Sequence, residues 1–129
     1  MHLVDTNVVS ELMRPRPTPR VVEWMKDLEA IAMSVVSIEE IVFGLVLRPR
    51  SRMERVFDDF SKLCTIIPIT EAIARRCSTM RALQRARGHA RTQADMLIAA
   101  TAAEHGAILV TRNVRDFEGC GIRVLDPFR

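Results

Sequence analysis

Short apolar runs alternate with segments of helical periodicity along the whole chain, and this alternation restricts the possible folds more than any other feature of the sequence. Strands that alternate with helices favour a parallel sheet covered by helices on both faces. We therefore predict an α/β fold, a three-layer α/β/α sandwich with a mainly parallel five-stranded sheet. The predicted strands cover residues 1–5, 30–36, 65–69, 107–111 and 122–125.

Caps and breakers delimit the predicted helices. The prolines at 15, 17 and 19 interrupt the first helix, and Thr18 is expected to cap the second, with Pro19 at its first position. Gly106 is expected to end a helix, and Pro68 indicates that the third strand lies at an edge of the sheet. The predicted helices cover residues 7–13, 19–28, 37–48, 52–64, 70–86 and 92–105, with a short turn or helix at 114–117.

Length and composition exclude several classes of protein. A chain of 129 residues with 48% apolar residues is expected to form one domain, 1–129, around a real core. No apolar run approaches the roughly 18 residues of a membrane span, and the first residues lack a secretion signal. The three cysteines form no CxxC pair, which argues against a zinc site or a disulfide framework. We expect a cytoplasmic protein without a membrane partner.

Four acidic residues stand where predicted strands end or helices begin. Asp5 ends the first strand, Glu40 and Asp95 lie in first helical turns, and Asp116 follows the fourth strand. The carboxyl ends of parallel strands meet at one edge of a sheet, where ligands bind. We therefore expect these carboxylates to face a common crevice.

Each acid also has a structural explanation. Asp5 can help to start the next helix, whose cap Thr6 and Asn7 can also supply. Ser37-x-x-Glu40 matches a capping box, and Thr92-x-x-Asp95 fits the same pattern. Because such boxes are common, each acid alone is weak evidence for chemistry, and only their combination is informative.

Crowded carboxylates repel one another unless a cation offsets their charge. Their hard oxygens suit Mg²⁺ or Mn²⁺, which bind with few carboxylates, several waters and a substrate phosphate. Such a site supports metal-dependent phosphoryl chemistry. A histidine-based mechanism or a serine hydrolase is disfavoured, because no histidine or serine shows a partner pattern.

An arginine-rich stretch forms a second candidate binding feature. Residues 72–94 contain no acid, in a chain whose formal net charge is only +3. Such a stretch can steer RNA by its electric field, although most charged runs are simply solvated helix faces. With few aromatic residues for base stacking, structured RNA is favoured over a long single strand. The candidate RNA-binding residues are Arg75, Arg76, Arg81, Arg85, Arg87 and Arg91.

Four sequence blocks resemble the PIN-domain ribonucleases, specifically the VapC/FitB-type toxins of bacterial type II toxin–antitoxin pairs. The blocks are VDTNVVSEL, SIEEIVFG, ADMLIAATA and LVTRNVRDF, they occur in the family's order, and they extend over essentially the whole chain. The resemblance implies a Mg²⁺- or Mn²⁺-dependent endoribonuclease that a cognate VapB/FitA-type antitoxin inhibits. It also implies a homodimer that forms a hetero-oligomer with the antitoxin and contacts DNA only through it.

The resemblance assigns metal binding to Asp5, Glu40 and Asp95. Polar residues that match the surroundings of that site are Thr6, Asn7, Thr111 and Asn113. Many relatives carry aspartate where this chain has Asn113, and Asp116 is the nearest acid. Whether Asp116 acts as a further catalytic acid, and whether one or two metals bind, are both open.

Two other functions remain as alternatives. A degenerate PIN domain could act only as a binding module with its antitoxin on DNA, and the amide at Asn113 supports this alternative. Another Mg²⁺-dependent phosphoryl-transfer hydrolase, such as a phosphatase, is also considered. It is disfavoured because Asp5-Thr6-Asn7 has no second acid two residues after Asp5.

Overall fold

The computed structural model describes residues 1–129 and contains one five-stranded sheet. The strand order is β3-β2-β1-β4-β5, and every neighbouring pair is parallel. The predicted α/β fold with a parallel sheet is therefore confirmed. The strands are β1 (His2–Val4), β2 (Ile31–Ser34), β3 (Thr65–Ile67), β4 (Ile108–Val110) and β5 (Val124–Leu125).

Six α-helices connect the strands, and a 3₁₀ helix, Val114–Phe117, follows β4. All predicted helices are present, although several ends differ by a few residues. None of them combines the length and the hydrophobicity that a membrane span requires. The helices are α1 (Thr6–Met13), α2 (Pro19–Lys26), α3 (Val35–Leu47), α4 (Ser51–Leu63), α5 (Glu71–Ala86) and α6 (Gln93–His105).

The sheet separates two hydrophobic cores, because successive residues of a strand point to opposite faces. Leu3 packs with Ile73 of α5 and Ile98 of α6, whereas Val4 packs with Val8 of α1 and Phe57 of α4. All of these side chains are buried. The first four helices thus cover one face and α5 and α6 the other, which confirms the predicted three layers.

The prediction was wrong at the junction between β2 and α3. The strand ends at Ser34, and the helix begins at Val35 instead of at Ser37. The Ser34 hydroxyl oxygen accepts a hydrogen bond from the backbone N–H of Val36 at 3.1 Å and so caps the helix. The apolar run continues through Val35 and Val36, which conceals this boundary in the sequence. Ser37-x-x-Glu40 is therefore not a capping box.

The edge position of β3 was predicted correctly. The strand stops at Ile67 because Pro68 cannot donate to a ladder. β1 lies at the centre of the sheet, and β4 and β2 flank it. The carboxyl ends of these three strands carry Asp5, Thr111 and Ser34, so the candidate residues gather at one edge of the sheet.

Candidate active site

Asp5 follows β1 directly and is the N-cap of α1. Its Oδ1 accepts a hydrogen bond from the Thr6 backbone N–H at 2.8 Å. Its Oδ2 accepts from the Thr111 hydroxyl at 2.7 Å and from the Asn7 side-chain amide at 3.1 Å. The cap of α1 is thus Asp5 itself, and the prediction that Thr6 or Asn7 could supply it was wrong. Capping leaves one lone pair of Oδ1 for another partner.

The Asp5 carboxyl is only 4% exposed, and this burial raises its pKa from 3.8 to about 6. The hydrogen bonds from Thr111 and Thr6 oppose the rise in pKa, since they stabilise the charged form. The negative charges of Asp95 and Glu40 raise the pKa further. Asp5 therefore lies within the electrostatic field of both other predicted acids, in a setting that a cation would stabilise.

Thr6 links α1 to α3 at this edge. Its hydroxyl donates to Glu40 Oε1 at 2.7 Å and lies 2.9 Å from Ser37 Oγ. Glu40 is exposed, and Ser37, one turn earlier on α3, is buried. The hydroxyl thereby holds the Glu40 carboxylate on the side of α3 that faces the end of β1.

Thr111 and Asn7 join the end of β4 to the start of α1. The Asn7 amide nitrogen donates to Thr111 Oγ1 at 3.1 Å, and its oxygen accepts from the Arg112 backbone N–H at 3.2 Å. Thr111 Oγ1 also accepts from the Asn113 backbone N–H at 3.0 Å. These bonds fix the chain that follows β4 against Asp5, so the predicted polar residues Asn7 and Thr111 position the acid.

Asp95 lies in the first turn of α6, and the Thr92 hydroxyl accepts from its backbone N–H at 3.1 Å. Thr92 is therefore the N-cap, as the capping pattern predicts. Burial is the main cause that raises the pKa of Asp95, and the negative charge of Asp116 adds to it. The positive charge of Arg91 and the hydrogen bond with Thr92 oppose the rise.

Asn113 and Asp116 line a separate cleft, which none of the three predicted metal-binding acids lines. Asn113 is exposed and precedes the 3₁₀ helix without capping it through its side chain. Asp116 lies within that helix, half-exposed, with Oδ1 3.8 Å from Arg91 Nη1. The negative charge of Asp116 raises the pKa of Asp95, and Asp116 pairs with Arg91. Asp116 therefore acts electrostatically on one of the predicted metal-binding acids.

The chemistry of the donors fits a hard divalent cation. As the side chains are placed, no three acidic, histidine or cysteine side chains form a ready ligand group. Mg²⁺, however, keeps most of its waters and needs only one or two carboxylates. Buried Asp5, with a free lone pair and two acids acting on its charge, meets that requirement.

The six arginines of the arginine-rich stretch fall into two groups: three contact groups outside the stretch's cleft, and three line the cleft. Arg75 Nε lies 2.9 Å from Glu71, and Arg76 Nε lies 3.0 Å from Glu104. Arg87 donates to the Gly119 carbonyl at 3.4 Å. The remaining three arginines, Arg81, Arg85 and Arg91, line one cleft. The stretch is therefore not a uniform basic face.

Sequence reasoning missed Glu11, which is 4% exposed. Its Oε2 accepts hydrogen bonds from the Thr18 backbone N–H at 3.0 Å and from the Thr18 hydroxyl at 3.3 Å. These bonds and the nearby Arg14 lower its pKa, with the Thr18 N–H as the largest cause. Glu11 thus anchors the start of α2. Its position three residues after Val8, on the inward face of α1, was the available signal.

A groove of about 250 Å³ runs from the candidate site between α1, α3 and α4. Thr6 and Glu40 line its inner end, and Arg48 and Arg50 line it near the start of α4. Gly44 also lines the groove, and the space where a Cβ would lie is open. A different face of α3 exposes three large apolar residues, Phe43 by 61%, Val46 by 72% and Leu47 by 66%.

Comparisons with known proteins agree with this architecture. Toxin FitB of Neisseria gonorrhoeae is 30% identical, with 99% of both chains covered. VapC ribonuclease Y4jK of Sinorhizobium fredii is 28% identical, covering 99% of this chain and 98% of that protein. A solved structure of FitAB bound to an IR36 DNA fragment contains a chain that is 31% identical, with a TM-score of 0.86, covering 100% of this chain and 96% of that chain.

The PIN domain model matches residues 2–119, which include every strand that carries a candidate residue. The match extends over well more than half of the chain, and the solved relative has the same fold over the full length. The chain belongs to the PIN domain family, with FitB and VapC toxins among its relatives.

Proposed function

We propose that this protein is the toxin of a type II toxin–antitoxin pair and a metal-dependent endoribonuclease that cleaves RNA phosphodiester bonds. The observation that carries the proposal is Asp5, buried at the carboxyl end of the central strand and acted on by the charges of Asp95 and Glu40. The ribonuclease name of the Sinorhizobium relative and the toxin name of FitB support it.

The chain's own residues supply a rigid acidic site. Thr111, Asn7 and the Thr6 N–H hold the Asp5 carboxylate in one orientation. Asp5, Glu40 and Asp95 would hold Mg²⁺ or Mn²⁺ largely through water. When bound, the ion polarises a phosphoryl oxygen and lowers the pKa of a bound water. Asp116 adds negative charge beside Asp95, and Asn113 is exposed next to Thr111.

Inhibition by an antitoxin fits the groove between α1, α3 and α4. The groove begins at Glu40 and Thr6, so a segment lying in it reaches the acids. Arg48 and Arg50 line the other end of the groove. Their positive charges favour a segment with acidic residues at the end that lies farther from Glu40. The partner that we propose is a VapB/FitA-type antitoxin, which would carry the complex to DNA. We also propose a homodimer, which the exposed apolar face of α3 supports.

The test is RNA cleavage by the purified chain in Mg²⁺ and in EDTA. We expect cleavage only with the metal, and a loss of at least a hundredfold, about 2.7 kcal/mol of transition-state stabilisation, in Asp5→Asn. Glu40→Gln should be similarly inactive. Glu39→Gln is the matched control, because Glu39 is the adjacent exposed acid on α3 and the Thr6 hydroxyl donates to Glu40 instead.

Three outcomes contradict the proposal. Activity of Asp5→Asn within a few-fold of wild type would mean that the acid cluster is not the catalytic site. A folded wild-type chain that binds its antitoxin but never cleaves RNA would instead identify a binding module. Hydrolysis of phosphate monoesters without RNA cleavage would favour the phosphatase alternative.

A further inference from the structure

Three arginines that are separate in sequence meet because α5 ends at a glycine turn. Arg81 and Arg85 are one turn apart on α5. Gly88 adopts φ +86°, and the His89 backbone N–H donates to the Gln84 carbonyl at 2.8 Å. This turn reverses the chain and returns Arg91 to the same side as the two helical arginines.

The arginines line a cleft of about 480 Å³ whose other lining residues are Ala82 and Ala90. No acid lines this cleft. Arg81 and Arg85 take part in no ion pair, in contrast to Arg75 and Arg76 at the other end of α5. Small neighbours and free guanidinium groups leave room and hydrogen-bond donors for an anionic ligand.

Arg91 connects this cleft to the acid site. Its side chain is only 17% exposed, and its buried Nε–H has no hydrogen-bond acceptor. A buried donor without a partner is costly, so it favours a ligand that brings an acceptor. Arg91 Nη1 lies 3.8 Å from Asp116, too far for a close hydrogen bond, so this pairing leaves the guanidinium able to bind another anion.

We infer that Arg81, Arg85 and Arg91 form a phosphate-binding subsite, which holds an RNA backbone phosphate next to the phosphodiester placed at the acids. The identification of the bound backbone as RNA rests on the proposed function. The cleft adjoins Asp116 and Asp95 through Arg91, so one RNA backbone passes from the arginines to the carboxylates. Guanidinium groups bind phosphate oxygens in pairs, which fixes the register of the strand.

The test measures binding without cleavage. A fluorescein-labelled RNA hairpin is titrated with the full chain in EDTA, in the Asp5→Asn background, at several salt concentrations. The Arg81→Ala/Arg85→Ala double variant should lower the slope of log K against log salt by about 0.7 to 0.9 per arginine. At about 0.1 M salt, the affinity should fall by roughly fivefold for each.

Two controls separate this subsite from the general charge of the helix. Arg75→Ala/Arg76→Ala removes the same charge from the same helix, but at paired positions, and should change the slope by less than half as much. Arg91→Lys keeps the charge and loses the guanidinium fork. It should therefore weaken binding while leaving the salt slope unchanged.

Equal losses of RNA affinity in the two double variants would overturn the inference, since they would indicate that the general positive charge of the helix, and not a specific subsite, binds RNA. If Arg81→Ala/Arg85→Ala weakens binding to a DNA duplex of the same sequence but not to RNA, then the arginines do not bind the RNA substrate and the inference is overturned. Because binding is read in an inactive background, a failure of the subsite leaves the cleavage result intact. An absence of cleavage by the wild type likewise leaves the binding result intact.

Discussion

Asp5 begins a helix and at the same time occupies a place where its own charge is disfavoured. The structural and the catalytic explanations of this residue are therefore compatible, because one oxygen caps α1 and the other is held by Thr111. Such a combination is typical of functional sites, where burial and neighbouring charges shift the pKa of a group away from its usual value. The raised pKa has a consequence for stability that is independent of catalysis.

Asp5→Asn should stabilise the metal-free chain, by an amount that depends on pH. The pKa of Asp5 rises from 3.8 to about 6 on folding, so its ionisation destabilises the folded state as pH rises through this interval. The full penalty above pH 6 is about 3 kcal/mol. The amide oxygen still accepts from the Thr6 N–H, but the NH2 group that replaces Oδ2 cannot accept from the Asn7 amide, which leaves a net gain of about 1–2 kcal/mol.

Urea unfolding in EDTA at pH 4 and at pH 7.5 checks this prediction. The difference between the two proteins should be small or reversed at pH 4, where the unfolded acid is already partly protonated, and should favour Asp5→Asn at pH 7.5. Thr92→Val, which removes a cap near the second acid, serves as a comparison that destabilises at both pH values. A variant that is less stable than wild type at pH 7.5 would contradict the assigned pKa.

How far the sequence predicts the site depends on how local the signal is. Asp5 and Thr111 follow apolar strands directly, so a parallel sheet alone predicts that both lie at its carboxyl edge. Glu11 was missed because its partner Thr18 lies beyond two prolines, and local periodicity carries no information about that contact. The pairing of Arg76 with Glu104 likewise depends on the packing of α5 against α6.

At the scale of elements, helix boundaries were harder to predict than helix identity. Two serines, Ser34 and Ser37, lie close together near the end of one apolar run, and the residue with the better capping pattern is not the cap. The N-cap is Ser34 because β2 already ends there, beside the end of β3. This shift places Ser37 within α3 and directs Glu40 toward Thr6, so the register of the helix decides which acid enters the site.

The same helix carries a glycine whose role can be tested. Gly44 lies in the interior of α3 and lines the groove, and a Cβ added to it would meet no atom within 4 Å. Gly44→Ala should therefore raise the free energy of unfolding by about 0.5–1 kcal/mol, because alanine loses less backbone entropy in a helix. The thermal midpoint should rise by about 2–4 °C.

Gly106→Ala is the matched control, and its effect should have the opposite sign. Gly106 ends α6 with φ +61°, a conformation that alanine adopts only with strain. Both substitutions add one methyl group to open space, so a difference in sign isolates the backbone. If Gly44→Ala is destabilising, then the groove must be narrower than the structure describes.

At the scale of the whole molecule, the acid edge of the sheet lies between two surfaces of different character. The groove leads away from Glu40 between α1, α3 and α4, and the arginine cleft lies at the end of α5, where Arg91 lies 3.8 Å from Asp116. The proposed antitoxin segment and the proposed RNA backbone would thus reach the acids along two surfaces that share no lining residue. If the proposals hold, a segment in the groove would inhibit at the acids and leave the arginine cleft uncovered.

We therefore predict that the C-terminal segment of the antitoxin inhibits on its own and competes with Mg²⁺. Helix-in-groove binding would anchor the segment by apolar residues, and a basic side chain at its end would pair with Asp5, Glu40 or Asp95. Since one cation excludes another from the same carboxylates, the apparent Kd of the segment should rise in proportion to Mg²⁺ once the metal site is half-filled.

Fluorescence anisotropy of the labelled segment measures this competition, with NaCl adjusted so that ionic strength stays constant as Mg²⁺ increases. Asp5→Asn should bind the segment with little dependence on Mg²⁺, because the metal then has no buried carboxylate ligand to occupy. Glu39→Gln should retain the dependence. If the segment inhibits fully while its affinity is independent of Mg²⁺, then it acts by covering the RNA-binding surface. The prediction that the segment competes with the metal for the carboxylates is then wrong.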